Sequence, residues 1–225
     1  MNYRQRRQQP VVKSVSVIIP VHNQTEDLKL FLPHLITFAG GLDVEIIVID
    51  DKSDEPVTFG GLVSGLLDVK VYRIENRLHR VKAINEWVRK STHDNILVCD
   101  PSIRFVNDTI QIMVWLLDTK AIATPISTSL YNTDLPQNKG DPIFDLCFAF
   151  NKRSWIVLDE RLGVFCFTLC LWHIFKSEVG YGWIVRSVAS NRHIEQKERV
   201  LQNYYYKKDR SVYSQIQKDN SWSNV

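Results

Sequence analysis

Val15-Ser16-Val17-Ile18-Ile19-Pro20-Val21-His22-Asn23 passes straight from β-branched apolar residues into a polar turn. Glu45-Ile46-Ile47-Val48-Ile49-Asp50-Asp51-Lys52-Ser53 does the same about 30 residues later. Residues that are apolar at successive positions fit strands buried on both faces of a sheet. Two further runs, Val69 to Ile74 and Ile96 to Cys99, keep a spacing of roughly 25 to 30 residues, the repeat length of β-α-β units. The connectors carry the helical period. Leu28, Phe31, Leu32, Leu35 and Phe38 follow the i, i+3, i+4, i+7 rule, with Asn23 and Glu26 offering a capping box and Gly40-Gly41 a stop. Leu78, Val81, Ile84 and Val88 repeat the pattern after the third run. The expectation is a single α/β domain with a mostly parallel central sheet and helices on both faces.

Past Cys99 the regularity fades. Asn107 to Leu117 and Phe165 to Glu178 read as helices, and Ala121 to Thr124, Pro142 to Phe150 and Trp183 to Val188 as extended segments. Leu130 to Pro142 reads as a polar loop and Ser211 to Val225 as a loose tail.

The composition excludes several classes. With 225 residues, 44% hydrophobic and 24% charged, the chain is neither disordered nor collagenous nor a coiled coil. A net charge of +3 is too mild to announce a nucleic-acid partner. Cys99, Cys147, Cys166 and Cys170 sit in apolar runs without a paired framework, which predicts reduced, buried thiols in a cytoplasmic protein. The basic arm, residues 1–13, carries Arg4, Arg6, Arg7 and Lys13 with no apolar stretch of a secretory leader behind it. Leu162 to Phe175 spans about 14 residues, short of the roughly 20 that cross a bilayer.

Ligands of an open parallel sheet bind beyond the carboxyl ends of its strands. The residues found there are polar: Pro20-Val21-His22-Asn23, Asp50-Asp51-Lys52-Ser53-Asp54, Glu75-Asn76-Arg77 and Asp100-Pro101-Ser102. Such residues also end strands and cap helices, so it is their convergence on one edge that argues for a site. No glycine precedes Gly40, which removes a dinucleotide fingerprint and a phosphate-binding P-loop, and there is no Gly-x-Ser-x-Gly elbow.

The first two quoted stretches, together with Arg77-Leu78-His79-Arg80-Val81-Lys82-Ala83-Ile84-Asn85 and Val98-Cys99-Asp100-Pro101-Ser102, resemble the opening of the GT-A nucleotide-sugar transferases of glycosyltransferase family 2. The resemblance covers residues 14 to about 105 and reaches weakly to Leu158-Asp159-Glu160-Arg161-Leu162-Gly163. It implies transfer of a sugar from a nucleotide donor, UDP-linked by expectation, to a hydroxyl on a glycan, lipid-linked or protein acceptor. Pro20 and His22 would line the nucleoside, with Asn23 and Asp50 beside them. Asp51 would bind the base, Arg80 would approach the nucleotide, and Asp100 would face the ribose or a metal. Residues 14–105 would form the nucleotide-sugar half and 106–210 the acceptor half. A nucleotidyltransferase-like enzyme is disfavoured because the first strand lacks a Gly-rich turn.

Departures from the pattern bear on the chemistry. The usual Asp-x-Asp is Asp100-Pro101-Ser102, so Mn²⁺ or Mg²⁺ would find one carboxylate fewer, with Asp100, Ser102 and His193 as the candidate ligands. Thr168 stands where the family places a catalytic aspartate, and a threonine is no general base at neutral pH. Asp159 and Glu160 are the substitutes. These two losses motivate an alternative, a catalytically inactive relative that binds a nucleotide, glycan or protein. Cys166, Cys170 and His173 share a helical face, but their aromatic and leucine neighbours favour buried thiols over a metal site. Tyr204-Tyr205-Tyr206-Lys207-Lys208 and the basic arm fit either a packed helix with a solvated arm or a peripheral membrane contact.

Overall fold

The computed structural model describes residues 12–58, 69–105, 108–120, 122–127, 147–155 and 184–190. In chain order they form β1 (Ser14–Val21), α1 (Thr25–Phe38), β2 (Asp43–Asp50), β3 (Val69–Arg73), α2 (His79–Lys90), β4 (Asn95–Cys99), β5 (Ile103–Phe105), α3 (Thr109–Leu116), β6 (Ile122–Ser127), β7 (Cys147–Asn151) and β8 (Ile184–Ser190). A single 3₁₀ turn, Lys152–Ser154, follows β7.

These strands make one sheet in the order β3-β2-β1-β4-β7-β6-β8-β5. Pairings among β1 to β4 are all parallel, and so is β6 with β8. β7 runs antiparallel to both of its neighbours, and β5 runs antiparallel to β8. Six of the eight described strands therefore point the same way. The sheet is mixed and mostly parallel, as the β-α-β spacing predicts.

Period-two alternation sorts each strand between two cores. Val15, Val17, Ile19 and Val21 of β1 pack with Leu28, Phe31, Leu32 and Leu35 of α1 and with Ile110, Met113 and Val114 of α3. Ile18 of β1 and Ile47 and Ile49 of β2 pack on the other face against Val81, Ile84, Trp87 and Val88 of α2. Phe31, Phe105, Phe148 and Phe150 are among the fully buried side chains. Each such burial is worth about 1.5–3 kcal/mol before the entropy of ordering is subtracted. Pro20 is tolerated in a central strand because the register of β1 with β4 stops at Ile18.

At the amino-terminal end of the parallel strands a polar staple replaces apolar packing. Glu45 accepts hydrogen bonds from Ser16 Oγ at 2.6 Å, Lys70 Nζ at 2.9 Å, Thr92 N at 2.9 Å and Thr92 Oγ1 at 2.8 Å. Burial on its own would raise the Glu45 pKa, but these donors outweigh it and bring the carboxyl to about 2.

Several expectations change in detail. The capping box does not form: α1 starts at Thr25 with Gln24 as N-cap and no side-chain cap. Asn23 takes a left-handed conformation, φ 55, and is drawn to the loop after β2. β5 is an extra strand of three residues, too short to announce itself by period. Cys99 and Cys147, the described cysteines, are free and buried, and face each other across β4 and β7. Burial pushes both thiols upward. Cys166 and Cys170, the Leu130 to Pro142 loop, the Phe165 to Glu178 helix, most of the basic arm and the tail lie outside the described residues. No helix among the described residues is long and apolar enough to cross a membrane.

Candidate functional site

The loops after β1, β2 and β4 and the start of α2 meet at the carboxyl edge of the sheet. They do so because parallel pairing carries every one of these strand ends to the same side.

The contacts close a ring. His22 Nδ1 lies 3.0 Å from the backbone oxygen of Asp51. Asn23 N donates to Ser53 Oγ at 3.0 Å, and the Asn23 and Asp54 groups exchange bonds of 2.9 and 2.8 Å. Asp51 Oδ1 accepts Leu78 N at 2.6 Å, which fixes the loop after β2 to the start of α2. Within the first turn of that helix, Arg80 Nη1 reaches Asp100 Oδ2 at 3.2 Å. Asp100 Oδ1 accepts Ser102 N at 2.9 Å and Gln24 Nε2 at 3.4 Å, returning the chain of contacts to the loop after β1.

The neighbouring aspartates are used differently. Asp50 is 1% exposed and both of its oxygens are committed inside the protein: Oδ1 to Ser53 N at 2.8 Å, Oδ2 to Val57 N at 3.2 Å and Arg73 Nη1 at 2.8 Å. Burial would raise its pKa, yet the bonds from Ser53, Val57 and Arg73 prevail and hold it below the ordinary carboxylate value. Asp51, also buried, has the Arg77 guanidinium 3.9 Å away. Lys52 between Asp51 and Ser53 takes the left-handed conformation, φ 58, which turns the chain sharply enough for Asp50 to cap the loop that follows it.

Arg80 is the least satisfied group of the ring. Its Nε and Nη2 are buried with no hydrogen-bond partner. A buried donor without an acceptor costs about 1–3 kcal/mol, a penalty that an oxyanion reaching it would relieve. Beside the ring, an open depression of 440 Å³ is lined by Asn23, Gln24, Thr25, Glu26, Asp27, Asp54 and Glu55. Its carboxylates suit hydroxyl or N–H donors and oppose a phosphate.

His22, Asn23, Asp51, Arg80, Asp100 and Ser102 take part in this ring, Asp50 anchors its β2 loop and Pro20 of β1 lies two residues ahead of His22, while Asp159, Glu160 and His193 lie outside the described residues. Arg73 and Gln24 join the site although no motif marks them. Arg73 is opposite Asp50 in the β2–β3 register, so a charge pair across adjacent strands was the available signal.

The donor set does not fit a divalent cation. Among the described residues Asp100 is its only carboxylate ligand, one oxygen of that carboxylate faces a guanidinium and the other is taken by N–H donors. Ser102 is 6% exposed and adds no charge. Among the described residues no group of three or more His, Cys, Asp or Glu could hold a metal ion.

Residues 16–171 match the family described as glycosyl transferase family 2. This chain belongs to glycosyl transferase family 2. On that membership it is a glycosyltransferase that uses a nucleotide-sugar donor. No curated protein matches the sequence. Solved structures share the GT-A fold at low identity. Glucosyl-3-phosphoglycerate synthase from Mycobacterium tuberculosis, solved with Mn²⁺ and UDP-glucose, superposes with a TM-score of 0.65 at 13% identity, over 92% of this chain and 78% of that one. Mannosyl-3-phosphoglycerate synthase from Rubrobacter xylanophilus gives 0.64 at 12% identity, over 93% and 75%. 4-Diphosphocytidyl-2C-methyl-D-erythritol synthase from Anaerococcus prevotii gives 0.54 at 16%, over 87% and 99%. At these identities the likeness is one of fold.

Proposed function

We propose that this family member takes its sugar from a UDP-linked donor and passes it to a hydroxyl of a glycan, lipid-linked or protein acceptor, in the cytoplasm. Residues 14–105 hold the donor and residues 106–210 shape the acceptor side. The observation that carries this reading is the closed ring of contacts, which joins His22, Asp51, Arg80 and Asp100 at one edge of the sheet.

Each member has a role that its chemistry permits. Asp51 presents a carboxylate to an N–H of the base, and His22 and Pro20 form the wall beside it. Asp100 accepts from the ribose hydroxyls. Asp50 holds the loop on which Asp51 stands and makes no contact with the nucleotide. Transfer breaks the bond between the sugar's anomeric carbon and the diphosphate oxygen, and the electron pair departs with UDP. The acceptor oxygen forms the new bond and gives up its proton to a base, for which Asp159 and Glu160 are the candidates. The barrier falls through placement of the two reactants and stabilisation of the departing negative charge.

Calorimetric titration of the whole chain with UDP tests the donor assignment. The expected result is saturable uptake that Asp51→Ala abolishes while circular dichroism shows the fold retained. Equal uptake by Asp51→Ala would remove Asp51 from the site. UDP release from a panel of UDP-sugars then identifies the donor, and release from GDP-sugars alone would overturn the UDP assignment.

A further inference from the structure

Ser102 stands where the family pattern offers its second carboxylate, and Asp100, the carboxylate that remains, is already engaged by a fixed positive charge. Arg80 and Asp100 are 11% and 8% exposed at their side chains, so little water screens the pair. A hard cation brought to Asp100 would share one anion with the guanidinium and meet its repulsion at short range. It would find a hydroxyl where a second carboxylate normally lies.

We infer that Arg80 takes the place of the divalent cation in this chain, and that the nucleoside diphosphate is bound without metal. The inference rests on the reading that this edge holds a nucleotide sugar. A guanidinium is suited to the task, because its planar fork matches two phosphate oxygens and its charge persists at every physiological pH. Asp100 occupies Nη1, and Nε and Nη2 have no acceptor of their own. Arg80 lies in the first turn of α2, whose free backbone N–H groups add positive potential, and no acidic residue of that turn cancels it. Arg77, half-exposed and just ahead of the helix, is the second cation on this edge. When the anomeric bond breaks, the electron pair moves to the diphosphate oxygen, and Arg80 steadies the charge without giving up a proton.

Calorimetric titration of the whole chain with UDP in EDTA, and again in excess Mn²⁺, tests this. Dissociation constants that agree within about threefold are expected, and Arg80→Gln should weaken UDP about 30-fold or more in both buffers. Ser102→Asp, which restores the second carboxylate, should make binding about tenfold tighter in Mn²⁺ than in EDTA. Wild-type binding that appears only with Mn²⁺, or tightens by more than about tenfold with it, overturns the inference and leaves the nucleotide-sugar reading standing. An Arg80→Gln protein that binds UDP as well as wild type also overturns it. If Arg80→Gln does not fold, the comparison of buffers on the wild-type chain decides. Absence of UDP uptake in both buffers instead overturns the nucleotide-sugar reading, and the inference with it.

Discussion

Asn23 and Asp54, 31 residues apart, grip each other in both directions: the Asn23 amide donates to Asp54 Oδ2 at 2.9 Å while Asp54 N donates to Asn23 Oδ1 at 2.8 Å. This latch sets the spacing between the loops after β1 and β2, and the left-handed backbone of Asn23 is part of how it closes. Asn23→Ala loses both bonds and leaves at φ 55 a residue without asparagine's tolerance of the left-handed region. A loss of about 1–2 kcal/mol is expected in chemical denaturation, with UDP affinity falling about tenfold. Asn23→Gly relieves the backbone but not the missing bonds, so stability should recover more than affinity.

Asp50 supports the site from beneath. Asp50→Asn keeps the size of the side chain but removes the charge that faces Arg73, a residue 32% exposed. A loss of about 2–3 kcal/mol is expected, less than for a fully buried pair because Arg73 is partly solvated. The Arg73→Met change should cost a similar amount, and the double variant less than the sum. Additive losses in a double-mutant cycle would disprove the coupling.

Glu45 sets an acid limit. Its folded pKa of about 2 lies below its ordinary 4.5, so its stabilising contribution is complete above the ordinary value and lost as pH falls toward about 2. The shift corresponds to about 3 kcal/mol. Glu45→Gln should cost about 2–3 kcal/mol at neutral pH, with the difference shrinking through the acid range. Melting curves of both proteins as a function of pH check it, and a constant difference would refute it.

Cys99 and Cys147 are held in the unreactive thiol form by burial. An alkylating reagent at about pH 8 should leave both unmodified in the native protein and modify them on unfolding, as read by peptide mass mapping. Rapid native labelling of either would show that β4 and β7 open locally.

Much of the architecture could be read before the structure. β1, β2, β4, α1 and α2 follow from apolar runs and helical period, because these elements bury nearly every residue on one or both faces. The reversal of β7 could not, since an apolar run such as Cys147–Asn151 has no direction written in it and pairing alone sets its sense. At the site, the convergence of strand ends was legible from connectivity. The division of labour between Asp50 and Asp51 was not, because adjacent aspartates look alike until the turn at Lys52 sends one inward. Asn23 shows the limit of local rules: a good capping residue was taken by a partner 31 positions away.

The Glu45 staple lies beside Ser16, at the opposite end of β1 from Val21, where the strand gives way to the ring. Five residues of strand place the two about 17 Å apart, more than a screening length in physiological salt. Ballast and business end are thus held at opposite poles. An engineer could harden the chain at Glu45, Thr92 and Lys70 against acid or heat while leaving the grip on the donor untouched, a separation that many catalysts with stabilising charges crowded around their clefts do not offer.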